Sequence, residues 1–209
     1  MLCVMGLAVS LADGTPTTSH NLDESTFALL SRTEGTLEWT YTCSSVAFEQ
    51  TPSTTRLLTA SHCIMPHRTY ALVPNQSLEW MAEVSVERIS VTADMAVLSV
   101  RRLLPVTPIG KNPNIGDTVV SVGWPRGSPK NRYFGFVSRE MTEDRVPILV
   151  VYMPGLEPGM SGSGLFCVNQ QSLCGLVIGI YTTSPAFGAA EPISQFYHAK
   201  WLPSTEVKE

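Results

Sequence analysis

The chain has 209 residues, 44% of them apolar and 15% charged, and a formal net charge of -4. That length admits one single-core domain or two small ones, and the apolar share excludes a disordered chain. Scattered Lys and Arg in an acidic protein make no basic stripe for a phosphate backbone, which excludes nucleic acid as a partner.

In chain order, residues 1–12 (MLCVMGLAVSLA) are almost wholly apolar, and Ser10 with Ala12 gives the small-x-small pattern of a signal-peptidase site. They read as a signal peptide, although no Lys or Arg precedes the run, and a buried first strand is the alternative. The run falls short of the ~20 apolar residues that span a bilayer. Residues 13–25 are rich in small polar and turn-forming types and read as a linker. From Thr26 onward come short runs dense in Val, Ile, Leu, Thr and aromatics, among them FALLSR, RLLTAS, EVSVERISV, TVVSVGW, ILVVYM and LVIGIYT. Gly, Pro, Asn and Asp clusters separate them. Strands at such short intervals predict an all-β protein, a barrel or a sandwich. Near the end, PISQFYHAKWL places Ile193, Phe196, Tyr197 and Trp201 on one helical face, which predicts a short C-terminal helix over 191–202 before a tail at 203–209.

Five cysteines occur, Cys3, Cys43, Cys63, Cys167 and Cys174, and loss of a leader leaves an even four. That parity suits an oxidising compartment, secreted or periplasmic. Spacing does not fix connectivity, and four reduced thiols are the alternative. Cys167 and Cys174 flank VNQQSL between two strand-like runs, facing each other across a hairpin; Cys43 would then pair with Cys63. No closely spaced His and Cys set has the form of a zinc site.

Peptide hydrolysis by serine needs an attacking hydroxyl, an imidazole to take its proton, a carboxylate to hold that imidazole, and backbone N–H groups aimed at the oxyanion. The segment PGMSGSG (158–164) surrounds Ser161 with glycines that permit a sharp turn and close approach of a substrate carbonyl. Gly159 and Ser161 are the candidate oxyanion amides. RLLTASHC (56–63) runs from an apolar strand into a turn bearing His62, and TADMAVLSV (92–100) puts Asp94 at the mouth of the next apolar strand. His20, His67 and His198 read as ordinary histidines, Asp117 as a turn aspartate, and Ser163 as the weaker rival nucleophile.

At these segments the chain resembles the chymotrypsin-like serine peptidases, above all short bacterial and viral members and HtrA-type protease domains. TASHC is one substitution from the family's TAAHC, DMAVL fits D-x-A-x-L, and GMSGSG fits G-x-S-G-[GS], in the order His, Asp, Ser. CSSVAF, GDTVVSVGWPRG, FGFVS and LVIGIYT extend the likeness over about residues 26 to 202. The resemblance implies two six-stranded antiparallel β-barrels, at 26–110 and 111–190, with the triad His62, Asp94 and Ser161 in the cleft between them. It further implies a serine endopeptidase without metal or organic cofactor, acting as a monomer on polypeptides. The walls of the primary pocket would come from Gly155 to Met160, including Glu157, and from Tyr181 to Ser184, with Thr182, Thr183 and Ser184 offering hydrogen bonds to an extended substrate.

Two departures bear on this expectation. Met160 stands where pancreatic-type relatives carry the aspartate that pairs with a new N-terminus, so activation by that route is not expected. Gly155 stands where trypsin-like relatives carry the pocket aspartate, so specificity for Arg or Lys is not expected unless Glu157 points inward; small or medium apolar residues are the expected preference. The alternatives are a catalytically silent homologue that binds peptides or proteins, and a hydrolase acting on esters or in cis on a polyprotein. Asn75-Gln76-Ser77 is a formal glycosylation sequon.

Overall fold

The computed structural model describes residues 22–74, 80–181 and 184–203. The leader, residues 13–21 of the linker, the sequon, Thr182, Thr183 and residues 204–209 lie outside the described residues. Six strands form the first barrel: β1 (Thr26–Thr33), β2 (Thr40–Gln50), β3 (Thr55–Thr59), β4 (Arg68–Val73), β5 (Ala82–Ser90) and β6 (Met95–Val100). They pair in the order β4-β1-β2-β3-β6-β5, and β4 with β5 closes the ring. Six more form the second: β7 (Thr118–Gly123), β8 (Asn131–Glu143), β9 (Val146–Tyr152), β10 (Gly164–Cys167), β11 (Ser172–Ile180) and β12 (Phe187–Pro192), closed as β10-β11-β12-β9-β8-β7. Every pairing between these strands is antiparallel. Closing a sheet requires sharp bends, and register shifts supply them at Ala47/Glu49, Val86/Arg88, Val137/Arg139 and Val177/Gly179.

The apolar runs are continuous rather than alternating because several strands bury both faces. Leu57 packs inside the first barrel while its neighbour Leu58 packs between the barrels. Val119 and Val120, and again Val177 and Leu176, divide in the same way between the second barrel's interior and the seam. The seam joins Val46, Phe48, Leu58, Met95 and Val97 of the first barrel to Val120, Val122, Phe166, Leu173 and Leu176 of the second. Each such side chain contributes roughly 1.5–3 kcal/mol of burial, so the two barrels stabilise each other.

The C-terminal helix is shorter than its periodicity predicts. Only α1 (Gln195–His198) is helical, after which the chain turns extended at Ala199 and adds a two-residue strand, β13 (Leu202–Pro203), to β5. Trp201 reaches the same patch as Phe196 by folding back: its Nε1 donates to the Phe196 carbonyl at 3.1 Å, and Arg88 stacks over both rings. Tyr197, expected on the packed face, is exposed.

Candidate active site

Strand pairing brings the first two candidates together. Thr59 at the end of β3 lies opposite Ala96 at the start of β6, so His62, three residues on, and Asp94, two residues back, leave adjoining strands at the same end. His62 sits in a single 3-10 turn, Ser61–Cys63, and Asp94 holds a left-handed backbone (φ 39°), which a short polar side chain tolerates. His62 Nδ1 and Asp94 Oδ2 are 2.7 Å apart. A carboxylate only accepts, so Nδ1 carries the proton and Nε2 is left as the base. Asp94 Oδ1 accepts from the His62 backbone N–H (3.0 Å) and from Ser61 Oγ (2.8 Å), and the Asp94 carbonyl accepts from Ser61 N–H (3.1 Å). The hydrogen bond and charge of Asp94 raise the His62 pKa above its ordinary value, against the opposing effect of burial. Ser61 is the one residue by which TASHC departs from the family pattern, and it gives Asp94 a donor that alanine lacks.

Ser161 sits in the loop before β10, and the first barrel grips that loop. Ser44 N–H donates to the Ser161 carbonyl (2.9 Å), while Tyr41 Oη and Ser44 Oγ both donate to the Gly159 carbonyl (2.6 and 3.2 Å). Tyr41 Oη also meets the Trp124 carbonyl, and burial pushes its pKa well above the usual phenol range, so it stays a donor. A Cβ on Gly162 (φ 80°) would lie 2.2 Å from the Ser44 carbonyl, so only glycine allows this approach. The disulfide Cys43–Cys63 fastens the same stretch of β2 to the His62 turn, with Cα atoms 6.2 Å apart. Thus Ser44, which holds the serine loop, neighbours the cysteine that holds the histidine turn. Cys167 and Cys174 are bonded across the β10–β11 hairpin.

The two amides of interest are oriented by their own peptide planes. The Pro158 carbonyl accepts from Arg126 N–H (2.8 Å) and the Met160 carbonyl from Ser163 N–H (2.9 Å). A trans peptide points its N–H opposite its C=O, so Gly159 N–H and Ser161 N–H are turned away from those partners. Among the described residues neither amide donates a backbone hydrogen bond, whereas Met160, Gly162 and Ser163 N–H all do. Ser161 Oγ itself donates to the Ile178 carbonyl at 3.3 Å.

The specificity candidates are less tightly gathered. Gly155 is exposed, and Glu157 faces solvent beside Arg126 at 3.5 Å. Met160 is fully buried in the second barrel's core. Ser184 N–H donates to the Tyr181 carbonyl and its own carbonyl accepts from Phe187 N–H, so its backbone is spent within a turn. Ser184 instead lines a cavity of about 340 Å³ with Ser138, Arg139, Val150, Tyr181 and Phe187. On β11, pairing with β10 ends at Leu176 while pairing with β12 runs on to Ile180, leaving one edge open beyond Val177. Sequence reasoning missed Tyr41, Ser44, Ser61 and this open edge; of these only Ser61 carried a local signal. Cys43, His62 and Cys63 are grouped closely enough for a metal, but both sulfurs are bonded to each other and offer no thiolate. No helix among the described residues is long and apolar enough to cross a membrane.

The family described as "Trypsin-like peptidase domain" matches residues 43–180, well over half of the chain. Among curated protein sequences none matches. Among solved structures, a serine endoprotease from Yersinia pestis superposes with a TM-score of 0.68 at 22% identity, over 87% of this chain and 65% of its own. The Rv3671c protease from M. tuberculosis in its active form gives 0.69 at 15% identity, over 95% and 92%. The HtrA-type protease AlgW, solved with a decapeptide, gives 0.67 at 17% identity, over 82% and 62%. At these identities the likeness is one of fold, and this chain spans just under two thirds of the Yersinia and AlgW chains.

Proposed function

Because the chain belongs to the trypsin-like peptidase family, we propose that it is a serine endopeptidase working through Ser161, His62 and Asp94. The observation that carries this reading is the 2.7 Å bond between His62 Nδ1 and Asp94 Oδ2, with Asp94 held by two further donors. Ser161 Oγ attacks the scissile carbonyl carbon as its proton passes to His62 Nε2. The negative charge that develops on the carbonyl oxygen is received by the Gly159 and Ser161 N–H groups. The intermediate collapses, the C–N bond breaks, and His62 gives its proton to the departing amine. Water, deprotonated by His62, then releases the acyl group from Ser161. In the resting geometry Ser161 Oγ points to the Ile178 carbonyl, so the cycle begins with a rotation about χ1 between staggered wells.

An extended substrate pairs with the open edge of β11 at residues 178–180. With Gly155 supplying no charge and Glu157 turned to solvent, the primary pocket takes small or medium apolar side chains. Met160 in the barrel core leaves no acid to receive a new N-terminus, so extending the N-terminus does not abolish activity. The two disulfides suit an oxidising, secreted or periplasmic setting, and the protein acts as a monomer.

The experiment is labelling with a fluorophosphonate probe. Covalent labelling of the wild type, lost in Ser161→Ala and strongly reduced in His62→Ala, is the expected result; no labelling of a folded wild type overturns the assignment. The Ser161 Oγ to Ile178 bond favours one second reading, a silent homologue that binds peptides in the same cleft, and that reading predicts peptide binding without labelling.

A further inference from the structure

Glu191 lies on β12, opposite Leu176 of β11, and is 1% exposed. Leu176 is a seam residue, as are Ile193, two positions beyond Glu191, and Met95, which follows Asp94. Glu191 Oε2 is buried and has no hydrogen-bond partner among the described residues. A glutamate so placed is costly unless neutral. The chemistry proposed above gives it no part.

We propose that Glu191 is a positioning residue, a carboxylic acid at the inter-barrel seam whose charge state is transmitted to His62 through Asp94. Its setting leaves little else to answer it. β11 carries no titratable group apart from a disulfide-bonded cysteine, β9 carries only Tyr152, and His198 and Lys200 just beyond are exposed. Asp94 is the charged group that acts on it. Burial first, and the Asp94 charge second, push the Glu191 pKa up to about 8. By reciprocity, ionising Glu191 adds a negative charge behind the Asp94–His62 pair, which favours the imidazolium. The neutral acid is therefore the form at neutral pH, and the carboxylate appears on the alkaline side.

The inference rests on the proposed triad, but its first test needs no turnover. The imidazole shifts of His62 are followed by NMR from pH 5 to 10 in wild type and in Glu191→Gln. The wild type is expected to show the main titration and a second displacement centred near pH 8; Gln, neutral throughout, keeps the first and lacks the second. Superimposable curves overturn the proposal. If Gln disturbs the seam, Asp94→Asn serves instead: the Glu191 carboxyl, read by its 13C shift, is expected to titrate at lower pH once the Asp94 charge is gone, and an unchanged midpoint overturns the coupling. In kcat/KM on a peptide, the wild type is expected to gain about threefold or more on Glu191→Gln between pH 7 and 9, because the transition state carries the imidazolium; a constant ratio rejects the role. Failed fluorophosphonate labelling with the NMR coupling intact would sink the peptidase reading and leave this one standing.

Discussion

The two halves of the site are built differently. The His62 half is made within one barrel: β3 and β6 are neighbours, and His62, Ser61 and Asp94 are held by contacts between residues 61–62 and 94. The Ser161 half belongs to the second barrel, yet its carbonyls at 159 and 161 are gripped by Tyr41 and Ser44 of the first. One half is secured by its own sheet, the other by the seam. Damage to the seam should therefore misplace the serine loop while leaving the His62–Asp94 pair intact.

Breaking the self-contained half has the largest expected effect. Asp94→Asn removes the acceptor that fixes the His62 tautomer, and kcat/KM is expected to fall by ~10⁴ with the fold preserved by circular dichroism. Next comes Gly162→Ala, whose Cβ meets the Ser44 carbonyl. The loop must shift, and a displacement of about 1 Å costs ~10²-fold in kcat, while His62 keeps its NMR titration. Tyr41→Phe removes one of two side-chain donors to the Gly159 carbonyl, and about tenfold in kcat is expected, with KM nearly constant. Ser61→Ala is the mildest. It removes one donor from Asp94 Oδ1, loosens the carboxylate, and lowers kcat/KM by roughly 3- to 10-fold. The pH profile sharpens this last case. In the proposed mechanism His62 must be neutral to act, and its pKa is raised, so activity is expected to be lost as pH falls through that raised value. Ser61→Ala leaves both effects of Asp94 on His62 in place, so its acid limb is expected to move far less than in Asp94→Asn, where the limb falls toward the ordinary imidazole value; an unmoved limb in Asp94→Asn means that Asp94 does not hold the imidazolium.

The same contrast explains what could be read from the sequence. His62, Asp94 and Ser161 stand in short segments whose chemistry is local, a turn after a strand, an acid before one, a glycine-bracketed serine, and so they stand out as candidates in the sequence. Both barrels were visible too, because strands and turn clusters alternate at short range. Tyr41 and Ser44 act on residues 118 and 115 positions away, and nothing in YTCSSVAF marks a strand as a clamp for a distant loop. Periodicity overextends the C-terminal helix because Trp201 has the right spacing for a helix but reaches its patch through a fold-back onto Arg88. Sequence allows Glu157 an inward or an outward setting; beside exposed Arg126 it takes the outward one. Thr182 and Thr183 lie outside the described residues, and Ser184 spends its backbone inside a turn.

Both ends of the described chain cross over. Near the start, Lys130 Nζ donates to the carbonyls of Asp23 and Thr26, and Arg132 forms a two-pronged pair with Asp23, so barrel two holds the entry to barrel one. At the other end, Leu202 and Pro203 pair with Ile89 and Arg88 of β5, so the exit of barrel two is stitched onto barrel one. A cut in the connector around residues 101–117 would sever the polymer without freeing either lobe. A molecule nicked there is expected to hold together as a two-piece particle, showing two bands on a denaturing gel and one species in solution.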